Sequence, residues 1–246
     1  MKFEGKLTGL STIILAGGKG TRLVPYTTVL PKPLMPIDEM PILEIIIRQL
    51  RQSGILDITL SVGYLASLLK AYFGDGSRWG VAIHYSCEDE PLGTAGPLTL
   101  VSGLTDTFLV MNGDLLTTLD YAAMVRFHQE REAIVTVGLF KKEVKIDLGI
   151  IEIANDNHIS GYQEKPVLSY EVSMGVYVME PLALHYIPTK QRFDLPDLIK
   201  RLITERQPVI GYHFDGYWLD IGRQEDYPEA IGLFQRERTI FLPGEG

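Results

Sequence analysis

Cysteine is nearly absent: the 246 residues hold one, Cys87. A single thiol closes no internal disulfide and builds no cysteine-rich zinc site, so a reducing compartment, the cytoplasm, is expected. Long apolar runs are missing too. The richest cluster, residues 42–47, is interrupted by Glu44, and no stretch reaches the roughly 18 residues a membrane helix needs. No basic-then-apolar leader opens the chain. An excess of positive charge is also lacking: 23 Lys and Arg against 31 Asp and Glu leave a net charge of -8. An acidic chain is a poor partner for nucleic acid, so any phosphate site must come from local placement of Lys and Arg. There is no repeat, linker or low-complexity stretch. There is no HExxH helix or Gly-x-Ser-x-Gly elbow. The five histidines, at 84, 128, 158, 185 and 213, have no metal-ligand spacing and read as structural or surface residues.

What is present is an ordinary globular composition, 46% hydrophobic and 22% charged, long enough to bury a sizeable core. Residues 11–16 read as a buried strand followed at once by a Gly-rich loop. Residues 41–53 read as a helix with Pro41 at its start and Gly54 as its stop. Strands at 57–62, 81–86, 107–111 and 133–140 alternate with helices at 65–73 and 119–131. That alternation predicts a parallel sheet with right-handed crossovers. The second half reads differently, with short strands at 149–153, 158–163 and 173–179, helices at 181–186 and 196–205, a strand at 209–214 and a closing helix at 223–236. Residues 1–10 read as a short extension. The expectation is one α/β domain over 1–246, with 1–140 mainly binding nucleotide and 141–246 mainly closing over a second substrate. In open α/β sheets ligands sit beyond the carboxyl ends of the strands, and each motif below is expected at such an end.

The first motif is Leu15-Ala16-Gly17-Gly18-Lys19-Gly20-Thr21-Arg22. Its glycines let backbone N–H groups approach phosphate oxygens, and the Arg22 guanidinium suits a phosphate at the loop's mouth. It is not a Walker A loop, which needs four residues between its first Gly and the Gly-Lys pair. It is not the dinucleotide fingerprint, which needs Gly where Leu23 stands. Lys32 follows, held stiffly between Pro31 and Pro33. The second motif is Glu88-Asp89-Glu90-Pro91-Leu92-Gly93-Thr94-Ala95-Gly96, a small-residue turn after a strand, expected to open a helix. The third, ending in Asn112-Gly113-Asp114, and the fourth, Trp218-Leu219-Asp220, each present an acid at a strand end. The fifth is Glu164-Lys165-Pro166.

The segments LAGGKGTRL and PKPL resemble the amino-terminal motif of the sugar-1-phosphate nucleotidylyltransferases, and the likeness continues across nearly the whole chain. The resemblance implies a Rossmann-like, GT-A-type α/β fold: a mixed, mostly parallel sheet flanked by helices, with a smaller β-rich sugar-binding part. The carboxy-terminal β-helix of long family members is not expected. It implies a reaction between a nucleoside triphosphate and a sugar-1-phosphate that needs no protein nucleophile. Leu15, Ala16, Gly17, Gly18, Gly20 and Thr21 would cradle the triphosphate, with Arg22 and Lys32 balancing its charge. Asp114 and Asp220 would hold catalytic Mg²⁺, beside Asn112 and Gly113. Glu164, Lys165, Gly149 and Gly175 would line the sugar-phosphate pocket, with Lys165 on the phosphate.

Pro91, Gly93 and Thr94 fall in the family's base-binding segment, and Glu88 takes the position that reads the base edge. An ionised carboxylate only accepts hydrogen bonds, and guanine offers two adjacent donors there, which favours GTP. The segment EDEPLGTAGPL resembles most the mannose-1-phosphate guanylyltransferase branch. Thymidylyl, uridylyl or cytidylyl transfer, guanylyl transfer to a heptose phosphate, and a non-catalytic regulatory relative stay open. A glycosyltransferase of similar fold ranks lower, because Asn112-Gly113-Asp114 departs from Asp-x-Asp. Association into a homo-oligomer is left open.

Overall fold

The computed structural model describes residues 7–244. Residues 1–6 of the expected extension lie outside the described residues. Residues 7–10 pack down: Leu7 is buried and donates its N–H to the Ser53 carbonyl at 2.9 Å.

In chain order the elements are β1 (Ser11–Leu15), a hairpin of β2 (Pro36–Ile37) and β3 (Met40–Pro41), α1 (Ile42–Gln52), β4 (Asp57–Val62), α2 (Ala66–Phe73), β5 (Ala82–Cys87), β6 (Phe108–Asn112), β7 (Leu115–Thr117), α3 (Tyr121–Glu130), β8 (Val135–Lys145), β9 (Ile150–Ile153), β10 (Ile159–Gln163), β11 (Val167–Met179), α4 (Leu195–Thr204), β12 (Val209–Phe214), β13 (Trp218–Asp220) and α5 (Asp226–Phe241). Seven strands form one sheet in the order β12-β8-β11-β6-β1-β4-β5. All its neighbours pair parallel except β11, which runs against both β6 and β8.

Both faces of this sheet are covered, which is why its central strands read as near-continuous apolar runs. The period of two still sorts their side chains. Ile14, Leu109 and Met111 join the cluster that includes residues of α1 and α5. Ile13, Phe108 and Val110 join the cluster on the other face, with Leu195, Leu198 and Leu202 of α4. Helix α1 is buried nearly all round and stops as its sequence signals. Gly54, at φ +87°, donates to the Arg51 carbonyl and Ile55 to the Leu50 carbonyl, the paired bonds of a Schellman ending. Gln49, buried in that helix, donates to the carbonyls of Thr117 at 2.8 Å and Phe241 at 3.1 Å, tying α1 to β7 and α5.

Three expectations change. Residues 96–100 and 181–186 are 3-10 turns rather than α-helix, each with a proline early in the turn. Strands β8 and β11 run on past the sheet as an arm, paired from Val167 opposite Lys145 to Ser173 opposite Leu139. Both faces of that arm meet solvent, so Lys141-Lys142-Glu143-Val144-Lys145 shows no apolar alternation, and the sequence predicts the strand only as far as residue 140. The ribbons β7–β13 and β9–β10 stand outside the main sheet. The last two motifs are therefore not at ends of the large sheet: Asp220 ends β13, and Glu164-Lys165-Pro166 links β10 to β11.

Candidate functional site

Leaving β1, the chain steps to β4 and β5 on one side, while β6 lies on the other. The order reverses between β1 and β6, and beyond their carboxyl ends lies a cleft of about 610 Å³. The loop after β1 forms its floor. Ala16 donates to the Ser61 carbonyl at 2.8 Å, and the Gly17 carbonyl accepts from Tyr64 N–H at 3.3 Å. Gly20 sits at φ +60°, and a Cβ there would stand 2.8 Å from the Thr27 methyl, so glycine is required. The Thr27 hydroxyl holds the Gly20 carbonyl at 2.8 Å. Leu15, Ala16, Gly17, Gly18, Lys19, Gly20, Thr21 and Arg22 all line the cleft.

Lys32 opens a 3-10 turn (Lys32–Leu34) and is 8% exposed. Its ammonium is ion-paired with Asp114 Oδ2 and lies 3.8 Å from Asp220 Oδ1. Backbone pairing brings these distant acids together. Leu115 in β7 pairs with Asp220 in β13, and Ile221 N–H donates to the Asp114 carbonyl at 3.2 Å. The ribbon is pinned by Trp218, whose indole N–H donates to the Met174 carbonyl at 3.0 Å and whose ring packs 5.2 Å from that of Phe140. Arg22 reaches the same place: a Cβ on Gly222 would lie 3.3 Å from its guanidinium.

Burial, and then the neighbouring Asp114 charge, push the Asp220 carboxyl above its ordinary value, while Lys32 and Arg22 oppose that shift. One ammonium thus serves two carboxylates. Asp114 Oδ1 is buried with no hydrogen-bond partner. A buried, unpartnered carboxylate oxygen beside a second carboxylate is an incomplete arrangement, since such groups are almost always satisfied. It fits a hard divalent cation, which beside phosphates takes one or two carboxylates and completes its shell with water and substrate oxygens. Among the described residues no third His, Cys, Asp or Glu joins them, which is in keeping with that ligand economy.

The opposite wall is the segment after β5. Glu88 Oε2 accepts from Leu92 N–H at 2.9 Å. Its Oε1 lies against the backbone of Gly17 and Gly63, where an added Cβ would be 3.0 and 2.9 Å away. Glu88, Pro91, Gly93, Thr94, Asn112, Gly113 and Asp114 all line the cleft. Gly175, at φ +72° where the β8–β11 register shifts, abuts Asn112, whose Nδ2 would be 2.5 Å from an added Cβ. None of the residues expected for sugar phosphate, Gly149, Glu164, Lys165 and Gly175, is in the cleft lining, and only Gly175 touches a residue that is. Glu164 is exposed and accepts from the Tyr162 hydroxyl at 2.7 Å, Lys165 is exposed at φ +43°, and a Cβ on Gly149 would overlap the Tyr162 hydroxyl. All three lie in the links that join the β9–β10 ribbon to β8 and β11. The sequence reading also passed over Ser61, Gly63, Tyr64, Arg192 and Asp194, which line the cleft. For Asp194 a signal existed, Asp-Leu-Pro ahead of an apolar helix being a helix start.

A family model described as nucleotidyl transferase matches residues 11–237. The chain is 37% identical over 257 residues to a UTP–glucose-1-phosphate uridylyltransferase from Synechocystis sp., covering 96% of this chain and 66% of that protein. It is 31% identical over 224 residues to a mannose-1-phosphate guanylyltransferase from Mycobacterium tuberculosis, covering 89% and 62%. The chain thus spans a little under two thirds of these relatives. A solved structure of a candidate glucose-1-phosphate thymidylyltransferase from Bacillus anthracis, in complex with a sucrose, superposes with a TM-score of 0.73 at 26% identity, covering 91% of this chain and 94% of that one. The fold is also that of HddC from Yersinia pseudotuberculosis complexed with GMP-PN, with a TM-score of 0.70 at 24% identity and coverage of 92% and 99%.

Proposed function

This chain belongs to the nucleotidyl transferase family, and from that premise we propose that it transfers a nucleotidyl group from a nucleoside triphosphate to a sugar-1-phosphate, releasing pyrophosphate. The observation that carries the reading is the convergence of Asp114 and Asp220 on Lys32 at the switch point between β1 and β6, with Asp114 Oδ1 buried and unpartnered. The donor set suits Mg²⁺, which Asp114 and Asp220 would hold and which, when bound, supplies positive charge to the triphosphate.

The nucleophile is a phosphate oxygen of the sugar-1-phosphate, already anionic at neutral pH. It forms a bond to the α-phosphorus as the bond to the β-phosphate bridge oxygen breaks, and pyrophosphate leaves with that electron pair. No side chain takes up the nucleotidyl group in this direct displacement, so the protein's work is positioning and charge neutralisation. The loop from Gly17 to Arg22 and Lys32 act on the triphosphate, and Lys165 is assigned to the sugar phosphate on its Glu-Lys-Pro motif alone, since it is not in the cleft lining. Glu88 accepts from the N1–H and amino group of guanine, which favours GTP as the donor; the relatives named mannose-1-phosphate guanylyltransferase support mannose-1-phosphate, or a similar hexose or heptose phosphate, as the acceptor. A second reading, UTP with glucose-1-phosphate, is favoured by the 37% identical relative of that name.

The test is pyrophosphate release with Mg²⁺, the five common nucleoside triphosphates and a panel of sugar-1-phosphates. Release with GTP and one sugar phosphate supports the full reading. Release with UTP, dTTP or CTP alone keeps the reaction and overturns the base assignment. Nucleotide binding without release from any pair points to the regulatory reading.

A further inference from the structure

The cleft wall formed by Glu88–Thr94 is fastened at one place to the start of α4, and the fastening is reciprocal. Asp194 occupies the N-cap position of α4 yet makes no side-chain bond to its own helix. Its Oδ1 accepts instead from Thr94 N–H at 3.0 Å and lies 3.4 Å from the Thr94 hydroxyl. The Thr94 hydroxyl oxygen in turn accepts from Leu195 N–H, at 2.7 Å, supplying the cap that Asp194 withholds. Three backbone bonds flank the exchange: Phe193 N–H to the Leu92 carbonyl, and Ala95 and Gly96 N–H to the Phe193 carbonyl. Gly93, at φ +83°, makes room, since a Cβ there would lie 2.6 Å from Asp194 Oδ1. Two side chains 100 residues apart in sequence thus bond each other's backbone across the cleft wall, Thr94 at the start of α4 and Asp194 beside Gly93.

We infer that Asp194 is a positioning residue for the nucleotide: through Thr94 it fixes the segment carrying Glu88 and Gly93, and so sets nucleotide affinity. This deepens the functional reading above and rests on it. A charged acceptor on a backbone N–H is among the stronger neutral-donor bonds. Losing it removes a side-chain restraint between Leu92 and Ala95, so Gly93, free at both signs of φ, is held only by the flanking bonds, and the wall against which the base would lie is less well fixed.

The variant Asp194→Ser keeps a good N-cap residue for α4 but is too short to reach Thr94, so it separates the tie from the helix's own stability. Steady-state pyrophosphate release is measured with whichever triphosphate the wild type uses. The KM for that triphosphate should rise about tenfold, the loss of one charge-assisted bond, with kcat and the sugar-phosphate KM within about twofold of wild type. Asp194→Asn, whose Oδ1 can still accept from Thr94, should recover most of the affinity. Adding Thr94→Val to Asp194→Ser should cost less than the sum of the two alone. An unchanged triphosphate KM in Asp194→Ser overturns the inference. So does a parallel loss in both substrates' KM and in kcat, which marks a general structural role. If the wild type itself releases no pyrophosphate from any pair, the functional reading fails first and the inference falls with it.

Discussion

At Lys32 a nearly buried ammonium stands between two carboxylates, one of which keeps an oxygen without a partner. A group so placed does more than decorate a loop. Its removal leaves Asp114 and Asp220 facing each other and takes one positive charge from the triphosphate site. Loss of one such group typically costs about 3 kcal/mol of transition-state stabilisation. Lys32→Ala is therefore expected to lower the rate of pyrophosphate release by about a hundredfold or more, with an unchanged circular dichroism spectrum. A rate within threefold of wild type rules the residue out of the chemistry. Glu88 makes a separate prediction. An ionised carboxylate only accepts, whereas an amide both donates and accepts and so suits uracil or thymine. Glu88→Gln should lower kcat/KM for GTP relative to UTP by about tenfold, the scale of one good hydrogen bond. An unmoved ratio takes the base-reading role away from Glu88.

Among elements, β11 has the most to position. Its register shift places Gly175 against Asn112 and the Met174 carbonyl under the Trp218 indole, so one bulge adjusts the ends of both β6 and β13. Gly175→Ala adds a Cβ at φ +72° and crowds the Asn112 amide. The strain of a non-glycine residue there is of order 1–3 kcal/mol, or about 2–12 °C in Tm for a chain of this size, readable by thermal denaturation. At the other end of the sheet α3 is pinned by a buried histidine. His128 Nδ1 lies 2.8 Å from the Thr136 hydroxyl and Nε2 lies 3.0 Å from Glu180 Oε1, which also accepts from Thr107 at 2.5 Å. A neutral ring accepting from Thr136 and donating to Glu180 satisfies every partner. Burial holds His128 below its ordinary value of 6.5, against the pull of Glu180. The unfolded chain therefore takes up this proton first as the pH falls. Stability contributed by the neutral ring is present above about pH 6.5 and is lost on acidification. Between pH 7.5 and 5.5 the Tm of the wild type should fall further than that of His128→Gln. Equal slopes would show that the ring titrates as it does in the unfolded chain.

Across the whole molecule, what the sequence makes legible is what local rules control. The Gly-rich loop, the apolar β1 and β6, and the Pro41 start and Gly54 stop of α1 all follow from φ preferences and burial on both faces. Ribbon β7–β13 is invisible beforehand because three residues a side carry no periodicity. It exists only because Leu115 meets Asp220 across the chain, and it is what makes the two acids one site. The Asp194–Thr94 exchange is hidden for the same reason, being a helix cap given away to a distant loop. Glu164 and Lys165, in the link between β10 and β11, could be named from their motif but not located, because nothing local says how far β8 and β11 run beyond the sheet. The molecule's charge of -8 sharpens the point: in the proposed reaction two polyanionic substrates would meet on an acidic chain, so the few cations and the acids proposed to hold Mg²⁺ would have to converge.

The most direct test of that convergence is the rate of Mg²⁺-dependent pyrophosphate release by Asp114→Ala, against wild type, with the active triphosphate and sugar-1-phosphate pair. Asp114 stands in the turn between β6 and β7, beyond the carboxyl end of the strand, and is not one of the residues of the apolar core. The account predicts a fall of about a hundredfold or more with Tm close to that of wild type. A variant that turns over within threefold of wild type would contradict the placement of the reaction at Lys32, Asp114 and Asp220.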